Sequence, residues 1–299
     1  MATATAPLEA STEFDERVGS RRRAGTIMAA VLFAATFFGI VVLLTLLVDV
    51  VVTGAPWLSG DFLTNYPSRF AERARVKSAL VGSLWMIGLT AIIAVPVGVA
   101  SAVYLEEYAP RHWFFRLVQI NIANLAGVPS VLYGILGLAL FVRLLAFERS
   151  LLAGSLTMAL LILPVIIIGT QEALRAVESG VRESAYALGA TRWQVIWSHL
   201  LPIAAPGIMT AIILSLSRAI GETAPLIMIG ALTFVAFLPE SIMDSFTVLP
   251  IQIFNWTARP QAEFQELAAA GIIVLMVLLL AMNLSAILLR NRFEKSRAR

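Results

Sequence analysis

Two ionisable residues stand four positions apart inside one of the most apolar stretches of the sequence. Arg218 and Glu222 interrupt the otherwise uncharged run 206–232. Residues four apart share one face of an α-helix, so the two side chains could pair. An ionised group at bilayer depth costs at least ~2.5–3.5 kcal/mol on insertion scales, so its presence needs a compensating role. Two roles are open: an ion pair that only holds a helix bundle together, or a cation that meets a passing anion.

A second group of polar residues lies just before this run and mixes glutamate and arginine with apolar residues, which indicates amphipathic helices. A short helix with Glu183 on one side and Ala185 and Leu188 beneath would fit a groove of a soluble partner. Gly189 allows a sharp turn into a second helix, which we expect Pro202 to end. The alternative is a helix lying on lipid, which would favour Lys and Arg rather than this mixture of signs.

The elements that must position these residues are membrane-spanning helices. The 299 residues are 59% hydrophobic and only 14% charged, whereas soluble domains carry about 25% charged residues. About 20 helical residues cross a ~30 Å hydrocarbon core. We therefore predict an all-α integral membrane protein with six transmembrane helices, whose apolar runs are Ile27–Val48, Ala79–Tyr104, Leu117–Val142, Leu151–Thr170, Pro206–Leu232 and Leu267–Leu289.

The distribution of basic residues predicts the orientation of these helices. The first run exceeds the ~7–15 apolar residues of a signal peptide, so we expect it to be retained as a helix. If the N-terminus is cytoplasmic, fourteen of the 22 Lys and Arg fall on cytoplasmic segments and seven on external ones. This ratio favours two cytoplasmic termini, although the cluster from Arg69 to Lys77 opposes the rule.

The predicted helices divide the chain into four parts. Residues 1–25 are predicted to be a disordered cytoplasmic N-terminus, and residues 26–76 to hold the first helix and an external connector. Residues 77–290 form the predicted core of five transmembrane helices, and 291–299 form a basic cytoplasmic tail. In the external segment before the last helix, Trp256 is expected at the level of the lipid headgroups.

The residue types exclude several kinds of chemistry. Cysteine is absent, and the two histidines, His112 and His199, show no ligand spacing, so no disulfide, metal site or cofactor is predicted. A nucleotide-binding P-loop needs a lysine directly after a glycine. The two lysines, Lys77 and Lys295, do not follow glycine, so any ATP hydrolysis must come from another polypeptide. The chain itself is not predicted to be an enzyme or to bind nucleic acid.

The spacing in the amphipathic stretch resembles the EAA loop of bacterial ATP-binding cassette (ABC) importer permeases. That pattern is Glu-Ala-Ala, three residues, Gly, nine residues, Ile, one residue, Leu-Pro. The sequence keeps the spacing, but Ser184 replaces the second residue and His199 replaces Ile. The resemblance implies a type I ABC importer permease fold with a cytoplasmic coupling helix that docks an ATPase. The predicted ATPase-coupling residues are Glu183, Ala185, Leu188, Gly189, Leu201 and Pro202.

Four further segments resemble phosphate-specific permeases of the PstA type, and the similarity extends over about residues 60–290. In that family the arginine of the RAIGETAPL signature is implicated in phosphate passage, which implies this role for Arg218 and a partner role for Glu222. Family members often carry a basic residue near Ile168, which this sequence lacks. The four segments are RAIGETAPL (218–226), GVPSVLYGILGLALF (127–141), AVYLEEYAP (102–110) and LPIQIFNW (249–256).

The resemblance implies a permease subunit that imports inorganic phosphate across the bacterial cytoplasmic membrane. Its partners would be a second permease (PstC-type), two ATPase subunits (PstB-type), an external phosphate-binding protein (PstS-type) and membrane lipid. The chemistry agrees, because guanidinium donors match phosphate oxygens bidentately. Near neutral pH phosphate keeps a proton that it can donate to Glu222, whereas sulfate does not. Two alternatives stay open: a permease for another oxyanion or small solute, and an independent ion-coupled carrier.

Overall fold

The computed structural model describes residues 9–110, 112–231 and 234–295, and the regular secondary structure in this part of the chain is helical apart from one β-bridge between Ser150 and Ser245. The chain divides into two compact units, Met1–Val52 and Thr53–Arg299. The first eight residues of the predicted disordered N-terminus and the last four of the predicted basic tail lie outside the described residues. The first unit contains most of helix α1 (Glu9–Gly54), whose described side chains are largely exposed.

Eleven further α-helices are described in the second unit, and four of them (α3, α5, α8 and α9) continue into or out of three π-helical turns. The turns are Tyr104–Tyr108, Leu138–Leu144 and Ile196–Leu200. The helices are α2 (Gly60–Thr64), α3 (Lys77–Val103), α4 (Trp113–Ala126), α5 (Ser130–Gly137), α6 (Leu151–Arg175), α7 (Ser179–Ala187), α8 (Arg192–Val195), α9 (Leu201–Gly221), α10 (Ala224–Ile229), α11 (Leu249–Thr257) and α12 (Ala262–Lys295).

Within the described residues, five helical segments are long and apolar enough to cross a membrane, and a bent pair supplies a sixth span if it is counted as one. This confirms the predicted all-α membrane class. The five segments are Gly25–Trp57, Lys77–Tyr108, Leu151–Arg175, Arg192–Gly221 and Ala262–Arg292.

Helix α6 lies at the centre of the second unit, between α3 and α9. Small residues allow this close packing: a methyl group added at Gly169 would lie 2.4 Å from Ala211 Cβ, and one added at Gly207 would lie 2.8 Å from Ala173 Cβ. Small residues let membrane helices approach until their backbones are close, which increases the van der Waals contact. Helix α9 is therefore held firmly against α6.

The third predicted span, Leu117–Val142, is not one straight helix. Helices α4 and α5 meet at an angle of 104°. Pro129 explains the break, because its ring disfavours a helical conformation at the preceding residue and its nitrogen has no hydrogen to donate. The sequence predicted a span here, and the structure shows that this span is a bent pair of helices.

The placement of Trp256 was also wrong. Its side chain is 1% exposed and packs in a buried cluster with Phe62, Leu249 and Leu267. The surrounding segment forms α11, a short helix that packs against α12 rather than lying at a lipid surface. An aromatic, apolar segment is typical both of an interface and of a buried core, and the sequence does not distinguish the two.

Candidate functional site

Arg218 lies in the last turn of α9, and Glu222 is the first residue beyond the helix. The Nε atom of Arg218 donates to Oε1 of Glu222 over 3.2 Å, with 47% of the arginine side chain and 20% of the glutamate side chain exposed. Among the described residues, Glu222 is the only hydrogen-bond partner of this guanidinium. Its terminal Nη groups are therefore available to an anion.

The fifth predicted span, Pro206–Leu232, needs correction at both ends. The helix starts earlier, because the segment Arg192–Gly221 is continuous, and it ends at Gly221 rather than Leu232. Pro225 explains the end, since a helix running through it would lack a hydrogen bond to Gly221. Glu222 has an extended backbone (ψ 120°), and α10 begins only at Ala224.

Two polar contacts between α9 and α12 fix the depth of Arg218. Arg290 Nη1 donates to Thr210 Oγ1 over 3.1 Å, and Ser217 Oγ donates to Asn283 Oδ1. The two contacts lie two helical turns apart on both antiparallel helices, so they share one register. This register places Arg218 opposite residue 282, inside the apolar run 267–289. These contacts agree with the position of Arg218 within an apolar run of the sequence.

Helix α5 forms one wall beside this charged pair. The hydroxyl of Tyr133, whose side chain is buried, donates to the Leu125 carbonyl oxygen over 2.8 Å and so braces α5 against the end of α4. Tyr133 is also close enough to Arg218 to feel its charge. Gly134 lets α5 approach α10, because an added methyl group would lie 2.7 Å from both the Cα and the carbonyl oxygen of Pro225. The break after Glu222 and the break before α5 are thus packed together.

Substituting Gly134 tests this packing. We expect Gly134→Val to force α5 away from α10 and to lower the stability of the chain by about 1–3 kcal/mol, the usual cost of an overpacked core. Thermal unfolding in detergent measures the change. Gly88→Val is the matched control, because nothing lies within 4 Å of a methyl group added there. Equal unfolding temperatures for the two variants would contradict the tight contact.

The predicted coupling residues fall on two faces of α7. Glu183 is exposed, and Leu188 has 89% of its surface exposed. Ala185 is only 4% exposed and packs in a buried cluster with Leu174, Val195 and Leu200 of the same chain. The expectation that Ala185 and Leu188 lie together was wrong, because Leu188 is the C-cap of α7 and the chain turns there.

Gly189 makes the predicted sharp turn. Its φ of +81° lies in the left-handed region, where a side chain costs about 1–2 kcal/mol. The Ala190 nitrogen donates to the Ala185 carbonyl oxygen and the Gly189 nitrogen to that of Tyr186, which is the Schellman arrangement at a helix end. Thr191 then caps α8, where it forms a capping box with Gln194.

Pro202 does not end the second helix. The helix passes from α8 through the π-helical turn Ile196–Leu200 into α9 without a break, and Leu201 and Pro202, both partly buried, begin α9. Because Pro202 has no N–H, one hydrogen bond of the continuous helix is missing there, directly after the π-helical turn in which the Leu201 nitrogen donates to the Ile196 carbonyl oxygen. From Arg192 to Gly221 the chain is thus one continuous helix, which includes Arg218.

An ionic cluster joins α7 and the end of α6 to the turn that follows α3, and it was not predicted from the sequence. Glu106 and Glu107, in the π-helical turn that follows α3, pair with Arg175 at the end of α6 and with Arg182 of α7. Two adjacent glutamates directly after an apolar helix were the available signal. Their partners lie about 70 residues away in sequence, so the sequence could not assign them. Among the described residues, no group of three or more His, Cys, Asp or Glu could hold a metal ion.

The bundle of spanning helices, the exposed short helix at one end and the charged pair at membrane depth define an integral membrane component of a transport system. Residues 94–298 match the family described as binding-protein-dependent transport system inner membrane component. The chain belongs to this family.

Relatives and solved structures agree with this assignment. The chain is 36% identical over 277 residues to the phosphate transport system permease protein PstA of Mycobacterium leprae, covering 89% of each chain. It is 33% identical over 282 residues to PstA 1 of Mycobacterium tuberculosis H37Rv, covering 90% of this chain and 89% of the relative. A chain of a bacterial ABC transporter involved in the import of alginate has a similar fold, with a TM-score of 0.67 at 16% identity, and the match covers 92% of this chain and 99% of that one. The MetNI methionine ABC transporter gives 0.56 at 20% identity, over 73% and 94% of the two chains.

Proposed function

We propose that this chain is a pore-forming permease subunit of an ATP-driven importer of inorganic phosphate. The observation that carries the proposal is the guanidinium of Arg218, half-exposed at membrane depth, with terminal donors that no described residue occupies. A guanidinium offers planar, paired donors that fit a tetrahedral oxyanion. Relatives that match about nine-tenths of the chain are named phosphate transport permeases, which supports phosphate as that oxyanion.

The alternative is that the Arg218–Glu222 ion pair serves only to stabilise the helix bundle, and this alternative fits the geometry less well. An ion pair whose sole purpose is to neutralise a buried charge would engage both partners fully and exclude solvent. Here only Nε is engaged, the contact is 3.2 Å long, and nearly half of the arginine side chain is exposed. The arrangement suits a site that keeps the arginine oriented until an anion replaces part of the contact.

Glu222 gives the proposed site a means of discrimination. Phosphate near neutral pH carries at least one proton and can donate it in a hydrogen bond to the Glu222 carboxylate. Fully ionised sulfate has no such donor and would meet unfavourable like-charge contact. The same carboxylate weakens the hold of Arg218 on phosphate, which favours release into the cell.

We expect Glu222→Gln to narrow the preference for phosphate over sulfate, since the amide can donate to either anion. The test is phosphate uptake by the reconstituted importer under competition by sulfate. Glu240→Gln is the control and should behave as wild type, because Glu240 is exposed and lies in the segment that follows α10. An unchanged preference in a normally assembled Glu222→Gln complex would rule out this role for the carboxylate.

The remaining subunits follow from the proposed function. A second permease of the same family would complete the pore, two ATPases would dock on α7, and an external phosphate-binding protein would deliver the substrate. Residues 77–290 would form the permease core, with both termini in the cytoplasm. ATP binding would draw the ATPases together and move α7, which would switch the pore between inward- and outward-facing states.

One experiment tests the proposed function as a whole. Proteoliposomes containing the assembled complex should accumulate labelled phosphate only when ATP and the phosphate-binding protein are supplied. Sulfate uptake in place of phosphate would indicate a permease for another oxyanion. Uptake driven by an ion gradient without ATP would indicate an ion-coupled carrier.

A further inference from the structure

The docking helix α7 is joined to the membrane helices by ionic contacts as well as by the chain itself. Arg182 is the centre of these contacts. Its Nη1 donates to the Val177 carbonyl oxygen over 2.9 Å, and its Nη2 donates to the Leu174 carbonyl oxygen over 2.8 Å and to Glu107 Oε1 over 3.0 Å. One guanidinium therefore connects α7, the C-terminal end of α6 and the turn that follows α3.

The partner of Arg182 is held in place by an irregular helical turn. Residues Tyr104–Tyr108 are π-helical, and the Ala109 nitrogen donates to the Tyr104 carbonyl oxygen. Such turns occur as single insertions in α-helices and are frequent at functional sites. Adjacent residues on a helix point in different directions, which lets Glu106 reach Arg175 of α6 while Glu107 reaches Arg182 of α7.

Arg175 and Arg182 form three ion pairs, with Glu106, Glu172 and Glu107, and the Arg182–Glu107 pair is the least exposed of the three. The arginine side chain is 23% exposed and the glutamate 10%, compared with 45% and 65% for the pair that Arg175 makes with Glu172 inside α6. Partial burial reduces screening by water and salt, so a contact of this kind is stronger than one between fully exposed charges. Arg182 also donates to the Leu174 carbonyl oxygen near the end of α6, which accepts from the Val177 nitrogen as well, and to the Val177 carbonyl oxygen between α6 and α7.

Three kinds of connection thus lead from α7 into the membrane. The chain enters α7 directly from α6 and leaves it through Gly189 into the continuous helix to Arg218. An apolar cluster contains Ala185 of α7 and Leu174 of α6, and Val99 and Val103 of α3 pack against it. The ionic connection passes from Arg182 through Glu107 to α3, which packs against α6 and α9. Among these connections, the Arg182–Glu107 ion pair joins a charged side chain of α7 directly to the turn that follows α3.

We infer that the Arg182–Glu107 ion pair makes α3 move with the docking helix, and that it thereby couples ATP hydrolysis to opening of the pore. The two residues act as positioning residues, and neither touches the substrate. This inference rests on the proposed function for its transport readout. When the pair is broken, the ATPases still bind the outer face of α7 and hydrolyse ATP, but α3 no longer follows.

The test compares phosphate imported with ATP hydrolysed in proteoliposomes of the full complex. Glu107→Gln keeps the shape of the side chain and removes its charge, and we expect at least about a fivefold fall in phosphate imported per ATP, the lower end of typical coupling energies. Arg182→Gln should do the same, and the double variant should lose little more than either single one, because both remove one interaction. Glu172→Gln, which removes an exposed carboxylate paired within α6, is the matched control and should keep the wild-type ratio.

A second measurement needs no phosphate and so separates this inference from the proposed function. The chain lacks cysteine, so spin labels can be placed on cysteines introduced at Ser179 of α7 and Ile92 of α3, both exposed. With Glu107 intact, the label-to-label distance should stay the same when ADP and vanadate trap the ATPases. With Glu107→Gln it should change or broaden. An unchanged transport ratio and an unchanged distance in the Glu107→Gln complex would overturn the inference, even if wild-type phosphate uptake is confirmed.

Discussion

Replacing Arg218 by glutamine is expected to abolish ATP-dependent phosphate uptake while ATP hydrolysis continues. The substitution removes the cation and its paired terminal donors from a helix position inside the membrane. Each hydrogen bond to a charged group contributes about 1.5–3 kcal/mol, so losing two reduces uptake at least roughly 100-fold. Arg218→Lys should recover a small part, because an ammonium keeps the charge without the planar pair of donors. Uptake of labelled phosphate by proteoliposomes measures both.

The control for this prediction is Arg143→Gln. Arg143 is also an exposed arginine within a helical segment, in the π-helical turn that follows α5, but it is not part of the proposed site. It should transport normally. Co-purification of the ATPases with the Arg218→Gln chain shows that assembly is intact. Wild-type uptake by that variant would mean that Arg218 only stabilises the bundle.

The second large effect is expected from Leu188→Asp. Leu188 is 89% exposed, and no described part of this chain covers it, although a leucine gains about 1.5–3 kcal/mol when it is fully buried. We propose that an apolar groove of the ATPase supplies this burial. An aspartate there would lose the burial and add the cost of desolvating a charge, so ATPase binding should weaken at least about 10-fold. Affinity capture of the ATPase by the permease complex measures the loss.

Leu188→Met provides the control, since it keeps an apolar side chain of similar volume. It should capture the ATPase as wild type does. If Leu188→Asp binds the ATPase normally, α7 is not the docking element and the coupling residues need to be sought elsewhere. The aspartate also distinguishes docking from folding, because an exposed position tolerates a polar residue without loss of stability.

Together these experiments divide the proposed mechanism into separable steps. Leu188 tests docking, Arg182 and Glu107 test transmission, and Arg218 tests passage of the substrate. A loss of transport with normal ATP hydrolysis has two possible causes in this scheme, a broken Arg182–Glu107 ion pair or a defect in the anion site at Arg218. The distance between spin labels on α3 and α7 distinguishes these two causes, because a substitution at Arg218 should leave that distance unchanged.

The sequence determined the features that depend on local chemistry. Long apolar runs require membrane helices, because water is absent to satisfy a polar backbone. The sign and number of charges between those runs predict a docking stretch, and the missing P-loop predicts that any ATP hydrolysis belongs to another chain. The turn at Gly189 was also predicted correctly, since glycine adopts a left-handed backbone conformation without steric cost.

Only the tertiary structure decided where apolar residues face and where helices break. Ala185 and Leu188 are both apolar and three residues apart, yet one is buried and the other is exposed, because the helix ends between them. Pro202 and Pro225 are both the second residue of a labelled helix, but Pro202 lies in the continuous helical segment 192–221, whereas Pro225 follows the break at Glu222. The partners of Glu106 and Glu107 come from α6 and α7, and such long-range pairs depend on packing that no local pattern encodes. The depth of Arg218 is set in the same way, by the register of α9 against α12.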